Sequence, residues 1–200
     1  MSSYARVGVI IMIVLASITM IESIQQRVLS IKSETSQKTT TQTFEQKIAE
    51  AAPMATSGDN LYIAWWSNKT GNDEVMFKAS TDGGKTFGEK INLSNSSNSE
   101  SQDAQIAASD NNVYVSWWER NATSNEPVLR VSNDSGKTFG EKMNLSNSTN
   151  SESQNAEIAA SDNNVYVSWW ERNATSNEPV LRTSNDGGKT FGEKIMLSAK

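Results

Sequence analysis

Residues 112–120 read Asn112-Val113-Tyr114-Val115-Ser116-Trp117-Trp118-Glu119-Arg120, and residues 164–172 repeat the same nine letters. β-branched and aromatic residues dominate the run, which predicts a strand. Val113, Val115 and Trp117 then point to one side of the sheet, and Tyr114, Ser116 and Trp118 to the other. Large apolar groups stand on both faces, so a sheet built on this strand needs a packed neighbour on each side.

The strand belongs to a longer period of 52 residues. Tyr62, Tyr114 and Tyr166 mark it, as do Trp65-Trp66, Trp117-Trp118 and Trp169-Trp170, and then Phe87, Phe139 and Phe191. Between Leu93–Asn144 and Leu145–Met196, 45 of 52 positions are identical. The two copies must share one fold, and a more diverged first copy keeps the Tyr, the Trp pair and an Asp-Gly turn.

Each copy reads as four short strands. In the second they are expected near Ala104–Ser109, Asn112–Arg120, Pro127–Ser132 and Phe139–Leu145, with Asp110-Asn111 turning the first pair. The intervening stretches Ser94–Gln102 and Ser146–Gln154 have little apolar content and are expected to be mobile loops. Four-stranded sheets that are apolar on both faces predict stacked blades, so the expected fold is all-β. It consists of three four-stranded antiparallel blades of an incomplete β-propeller, at 47–94, 95–146 and 147–200.

Composition closes off whole function classes. The 200-residue chain has no Cys and no His, which removes disulfides, thiolate metal sites, imidazole bases and every Ser/His/Asp triad. No cofactor or metal is expected. A net charge of −5 with scattered Lys and Arg excludes nucleic acid as a partner.

Val7–Ile21 is an uncharged, mostly apolar run with Arg6 before it and Glu22 after it, predicting a hydrophobic helix over residues 1–22. Its length fits a signal peptide, whereas its poor cleavage pattern leaves a membrane anchor open. Either reading places the remainder outside the cell, as a secreted or single-pass surface protein. Residues 23–46 are rich in Ser, Thr and Gln and are expected to be a linker. Asn-x-Ser/Thr acceptors at Asn68, Asn92, Asn95, Asn121, Asn133, Asn144, Asn147 and Asn173 predict glycosylated surface loops, if the host modifies exported chains.

Before its last strand each unit carries an octet. These are Ser80-Thr81-Asp82-Gly83-Gly84-Lys85-Thr86-Phe87, Ser132-Asn133-Asp134-Ser135-Gly136-Lys137-Thr138-Phe139 and Ser184-Asn185-Asp186-Gly187-Gly188-Lys189-Thr190-Phe191. An Asp side chain followed by Gly fixes a turn, because the carboxylate accepts nearby amides and Gly takes up a positive φ. Gly-Lys-Thr is no phosphate-binding loop here, since the Gly that such a loop needs upstream is missing. Nor do the acidic residues alternate as in a calcium loop.

The pattern Ser-x-Asp-x-Gly-x-Thr-Phe, three times at constant spacing, resembles the Asp-box of sialidases and related BNR-repeat β-propellers. The resemblance covers roughly residues 44–198 and implies a turn lying away from the catalytic face. It also implies a catalytic set of three Arg residues, a Tyr–Glu nucleophile pair and an Asp acid/base drawn from different blades.

That set is hard to find. After the linker the arginines are Arg120, Arg130, Arg172 and Arg182, two per copy at repeated positions, whereas a glycosidase site needs unlike groups at one bond. The least unsuitable catalytic candidates are Tyr114, Tyr166, Glu119, Glu171, Arg120 and Arg172. Trp66, Trp118 and Trp170, beside Glu-Arg, are candidate ligand-binding aromatics, although one Trp of each pair is expected in the core.

The leading expectation is therefore a non-catalytic surface module that binds a glycan or a surface protein. A sialidase-like glycoside hydrolase and a structural surface protein are the alternatives. Three blades fall short of the four to eight of a closed propeller, so self-association into a homo-oligomer, a partner domain and a shortened array are all open. Membrane contact is expected only through an uncleaved N-terminal segment.

Overall fold

The computed structural model describes residues 52–69, 71–120, 124–146, 152–172 and 176–198. The expected helix over 1–22, the linker over 23–46 and the acceptors Asn121, Asn147 and Asn173 lie outside the described residues. Every regular element within them is a strand, and no helix there is long and apolar enough to cross a membrane.

The strands fall into three antiparallel units. Unit 1 holds β1 (Met54–Ser57), β2 (Asn60–Ser67), β3 (Glu74–Ser80) and β4 (Ile91–Asn92). Unit 2 holds β5 (Glu100–Ser109), β6 (Asn112–Arg120), β7 (Asn125–Ser132) and β8 (Met143–Asn144). Unit 3 holds β9 (Glu152–Ser161), β10 (Asn164–Arg172), β11 (Asn177–Ser184) and β12 (Ile195–Met196). Strands consecutive in sequence pair within each unit. Units 2 and 3 also touch at a corner, where Asn125 of β7 meets Glu152 of β9 in parallel. At the equivalent corner between units 1 and 2, the Ser101 amide donates to the Asp73 carbonyl at 2.8 Å.

The apolar residues on both faces find their neighbours. One core joins Tyr62, Ala64, Phe77 and Leu93 of unit 1 to Val113, Val115, Trp117 and Val128 of unit 2. A second joins Tyr114, Leu129 and Leu145 of unit 2 to Val165, Val167, Trp169 and Val180 of unit 3. Unit 2 is thus buried on both sides, each side of β6 supplying a different core, which is what its strict alternation requires. Trp117 and Trp169 are fully enclosed. Cutting such a side chain back to Ala costs about 3–5 kcal/mol.

Two sequence expectations need correction. Residues 100–102 are not loop: they pair with Arg120, Glu119 and Trp118, and Ser101 is buried. The ladder resumes only at Gln105, across a bulge in which Asp103 takes φ 51°. The extra bulge residue hid the strand by breaking its alternation. Residues 152–154 of unit 3 likewise belong to β9. The fourth strand is far shorter than Phe139–Leu145, being two residues long in every unit. The Gly140 amide still reaches the Val131 carbonyl at 2.9 Å, but Phe139 packs against the inter-unit core.

Candidate functional site

The three octets form nearly identical turns at one end of the units. Asp82 accepts the Ser80 hydroxyl at 2.7 Å, the Thr86 amide at 2.9 Å and the Thr86 hydroxyl at 2.6 Å, while Ser80 accepts the Gly84 amide at 2.9 Å. Asp134 holds Ser132 and Thr138 in the same way, with Gly136 on Ser132. Asp186 holds Ser184 and Thr190, with Gly188 on Ser184. These bonds keep all three carboxyls well below their ordinary pKa, the Thr hydroxyl contributing most; Asp82 and Asp134 fall to about 2.

Next to each inter-unit turn lies a groove. The first, about 460 Å³, is lined by Phe87, Glu89 and Ile91 of unit 1 and by Gly136 and Lys137 of unit 2. The second, about 510 Å³, has Phe139, Glu141 and Met143 of unit 2 with Gly188 and Lys189 of unit 3. One recess is thus repeated at successive seams, each combining an aromatic edge, a carboxylate and an ammonium.

The Trp-Trp-Glu-Arg segments end at the other end of the units. Glu119 accepts Lys142 at 3.1 Å, the Ser99 hydroxyl at 3.0 Å and the Trp117 indole N–H at 3.4 Å. Glu171 accepts Lys194 at 2.9 Å and the Trp169 indole N–H at 3.3 Å. In unit 1 this place is held by Ser67. Directly across the ladder from Glu119 is Glu126, buried and receiving the Ser146 hydroxyl. Burial pushes its carboxyl above the ordinary value and Glu171 adds to that, against hydrogen bonds from Ser124 and Asn144 and the charge of Lys194. With Val128, Lys142 and Asn144, the two glutamates line a small cavity of about 170 Å³.

Glu119, paired with Lys142, thus stands beside Glu126, whose carboxyl is raised above its ordinary value by burial. The bonds, however, show these groups fastening connections. Glu74, the counterpart of Glu126 in unit 1, receives the Ser94 hydroxyl, the Asn72 amide at 3.2 Å and the Ser96 backbone N–H at 3.1 Å. It thereby pins the passage from unit 1 to unit 2, and Ser99 of that passage is the residue that reaches Glu119.

The sequence candidates do not converge. Tyr114 is buried in the second core, and Glu119 lies five positions further along β6 on its opposite face, about 17 Å away by strand rise. Tyr166 is exposed on the outward face of unit 3. Arg120 and Arg172 are exposed at strand ends. Trp118 is half-buried, its indole N–H on the Asp103 carboxylate; Trp66 is half-buried too, and Trp170 is exposed. Among the described residues no three acidic side chains gather as metal ligands.

Sequence reasoning missed three features. Arg130 and Arg182 donate to the Leu93 and Leu145 carbonyls of the preceding unit, at 2.9 Å and 3.0 Å. Asp103 is turned onto Trp118 by the bulge. Glu74 and Glu126 are buried anchors. Only the last had a visible signal, a Glu at the same repeat position near the start of the third strand in all three copies, including the diverged one.

No protein-family model and no curated protein sequence matches the chain. Solved structures do. A Hadza microbial sialidase aligns at TM-score 0.54 and 11% identity, covering 70% of this chain and 36% of that one. Trypanosoma rangeli sialidase, in complex with 2,3-difluorosialic acid, aligns at TM-score 0.52 and 16% identity, covering 73% and 30%. A polysaccharide lyase described as an ulvan lyase aligns at TM-score 0.51 and 10% identity, covering 74% and 44%. This chain spans less than half the length of each. At such identities the likeness establishes a sialidase-like β fold and nothing finer.

Proposed function

We propose that this chain is an exported, non-catalytic, sialidase-like propeller module that binds carbohydrate at the cell surface. Export rests on the Arg6-flanked apolar run Val7–Ile21. A carbohydrate ligand is favoured by the structural neighbours, which include sialidases and a polysaccharide lyase. The observation that carries binding over cleavage is the state of Glu119: it is closed by Lys142, Ser99 and Trp117, with Tyr114 buried on the opposite face of the strand.

The paired grooves at Phe87–Lys137 and Phe139–Lys189 fall in the size range of small-molecule sites and recur in register. A polymer with repeating sugar residues and anionic groups suits them, with Lys137 and Lys189 as its cationic contacts. The hydrolase reading keeps one argument, the unlike environments of Glu126 and Glu171 in a shared seam. A glycan panel together with fluorogenic sialosides separates the two. Saturable retention without turnover, weakened in Lys137→Ala and Lys189→Ala, supports binding. Turnover abolished by Tyr166→Phe or Glu171→Gln would reverse the assignment.

A further inference from the structure

We propose that the two seam grooves are halves of one bivalent site, in which a single chain of a sparsely charged acidic polysaccharide lays one acidic sugar in each; this takes as its premise the carbohydrate binding put forward above. Each groove carries its two charges on fixed backbone. Lys137 follows Gly136, whose amide donates to Ser132 at 2.9 Å, and precedes Thr138, whose amide donates to Asp134 at 2.9 Å. Lys189 stands between the same two bonds, made by Gly188 and Thr190. Glu89 and Glu141 each follow a glycine, Gly88 or Gly140, whose amide meets the Ala79 or Val131 carbonyl at 2.9 Å.

The opposite charges do not neutralise one another. Glu89 and Lys137 line one groove and Glu141 and Lys189 the other, yet no ion pair joins either couple, and all four residues are exposed. An ammonium calls for an anion, whereas a carboxylate, which only accepts, calls for hydroxyl or amide donors. An acidic sugar carries an anion and hydroxyls on one ring and satisfies both at once. A neutral sugar leaves the lysine without a counter-charge. A densely charged polyanion brings acid groups against Glu89 and Glu141, where like charges repel. The lysines are therefore the anion contacts, and the glutamates select sugars over bare polyanions.

Repetition sets the valency. The grooves open at successive seams with equivalent residues in the same order, and sheets packed face to face stand about 10 Å apart. A short acidic oligosaccharide spans that distance and reaches from Lys137 to Lys189. Binding in the second groove is then intramolecular, which raises affinity by about a hundredfold or more with no new kind of contact.

The test is titration calorimetry of the detergent-solubilised full chain with hyaluronan oligosaccharides, which carry a carboxylate on alternate sugars. The octasaccharide should bind one per chain and about a hundredfold or more tighter than the disaccharide. Lys137→Ala or Lys189→Ala alone should bring the octasaccharide down to the affinity of the disaccharide. Lys69→Ala, at an exposed lysine outside both grooves, should leave it unchanged. Inorganic polyphosphate should compete poorly against the wild type and better once Glu89→Gln and Glu141→Gln are combined. Every substitution lies at an exposed position, so the fold is kept. Equal affinity for the two lengths, two octasaccharides per chain, or polyphosphate competing equally with and without the glutamates would overturn the bivalent site. If a glycan panel retains neutral sugars while neither hyaluronan length binds, the acidic bivalent site fails and carbohydrate binding stands; if the panel retains nothing, both fail.

Discussion

The Arg130 guanidinium donates to the Leu93 carbonyl at 2.9 Å, and its Nε donates to the Gly140 carbonyl at 2.6 Å. One side chain therefore ties the turn of unit 2 to the last strand of unit 1, and Arg182 repeats the tie one period on. A resemblance that implies an arginine clamp for substrate invites reading these residues as a site. Their donors are committed to backbone carbonyls.

Arg130→Ala should cost about 2 kcal/mol, the scale of hydrogen bonds made by a charged group. Arg130→Lys should recover less than half of this, because an ammonium cannot reproduce the fork. Urea unfolding measures both, and equal stability for wild type and Arg130→Ala would refute the tie.

Acid should loosen the turns. Asp82 and Asp134 have folded pKa values of about 2, below the ordinary value of 3.8, and Asp186 is shifted in the same direction. A depressed folded pKa contributes stability that is present above the unfolded pKa and lost as pH falls through the folded one. The melting temperature should therefore drop between pH 4 and pH 2. Asp134→Asn should flatten that drop and lower stability at pH 7.

Glu126 runs the opposite way. Its carboxyl is raised by burial, so its contribution is present below the unfolded pKa and lost as pH rises through the folded one. Glu126→Gln, which keeps the shape and removes the charge, should narrow the gap in melting temperature between pH 5 and pH 8. An unchanged gap would mean that the carboxyl is solvated.

Gly83 and Gly136 separate two demands on the turns. Gly83 has φ 71° and open space where a Cβ would stand, whereas at Gly136, with φ 78°, that atom would lie 2.7 Å from the Phe77 ring. Gly83→Ala should cost about 1 kcal/mol from backbone conformation. Gly136→Ala should cost about 1–3 kcal/mol more, because Phe77 is locked in the core and cannot withdraw. Equal losses in thermal unfolding would show that the close approach at Gly136 carries no cost.

What was legible in the sequence was local or periodic. The alternation of Val113 to Trp118 announced a strand buried on both sides, and the octets announced turns held by Asp82, Asp134 and Asp186. What stayed hidden lay in long-range pairings. Arg130 meets Leu93 across 37 residues, and Asp103 reaches Trp118 only because a bulge turns it there. A polar stretch such as 94–102 looks like free loop until Glu74 and Asp73 are seen holding it. That Tyr114, Tyr166, Glu119, Glu171, Arg120 and Arg172 do not converge was foreshadowed by the repeat, since copies of one unit place like residues at like positions.

Face-to-face stacking of the units underlies everything above, and its most direct probe is the contact between Phe77 of unit 1 and Phe139 of unit 2. Their rings are edge-on, with centroids 4.9 Å apart. A double-mutant cycle of Phe77→Leu and Phe139→Leu in urea unfolding should return a coupling of about 0.5–1.5 kcal/mol. Strictly additive losses would show that the two rings do not meet, and the stacked arrangement would have to be abandoned.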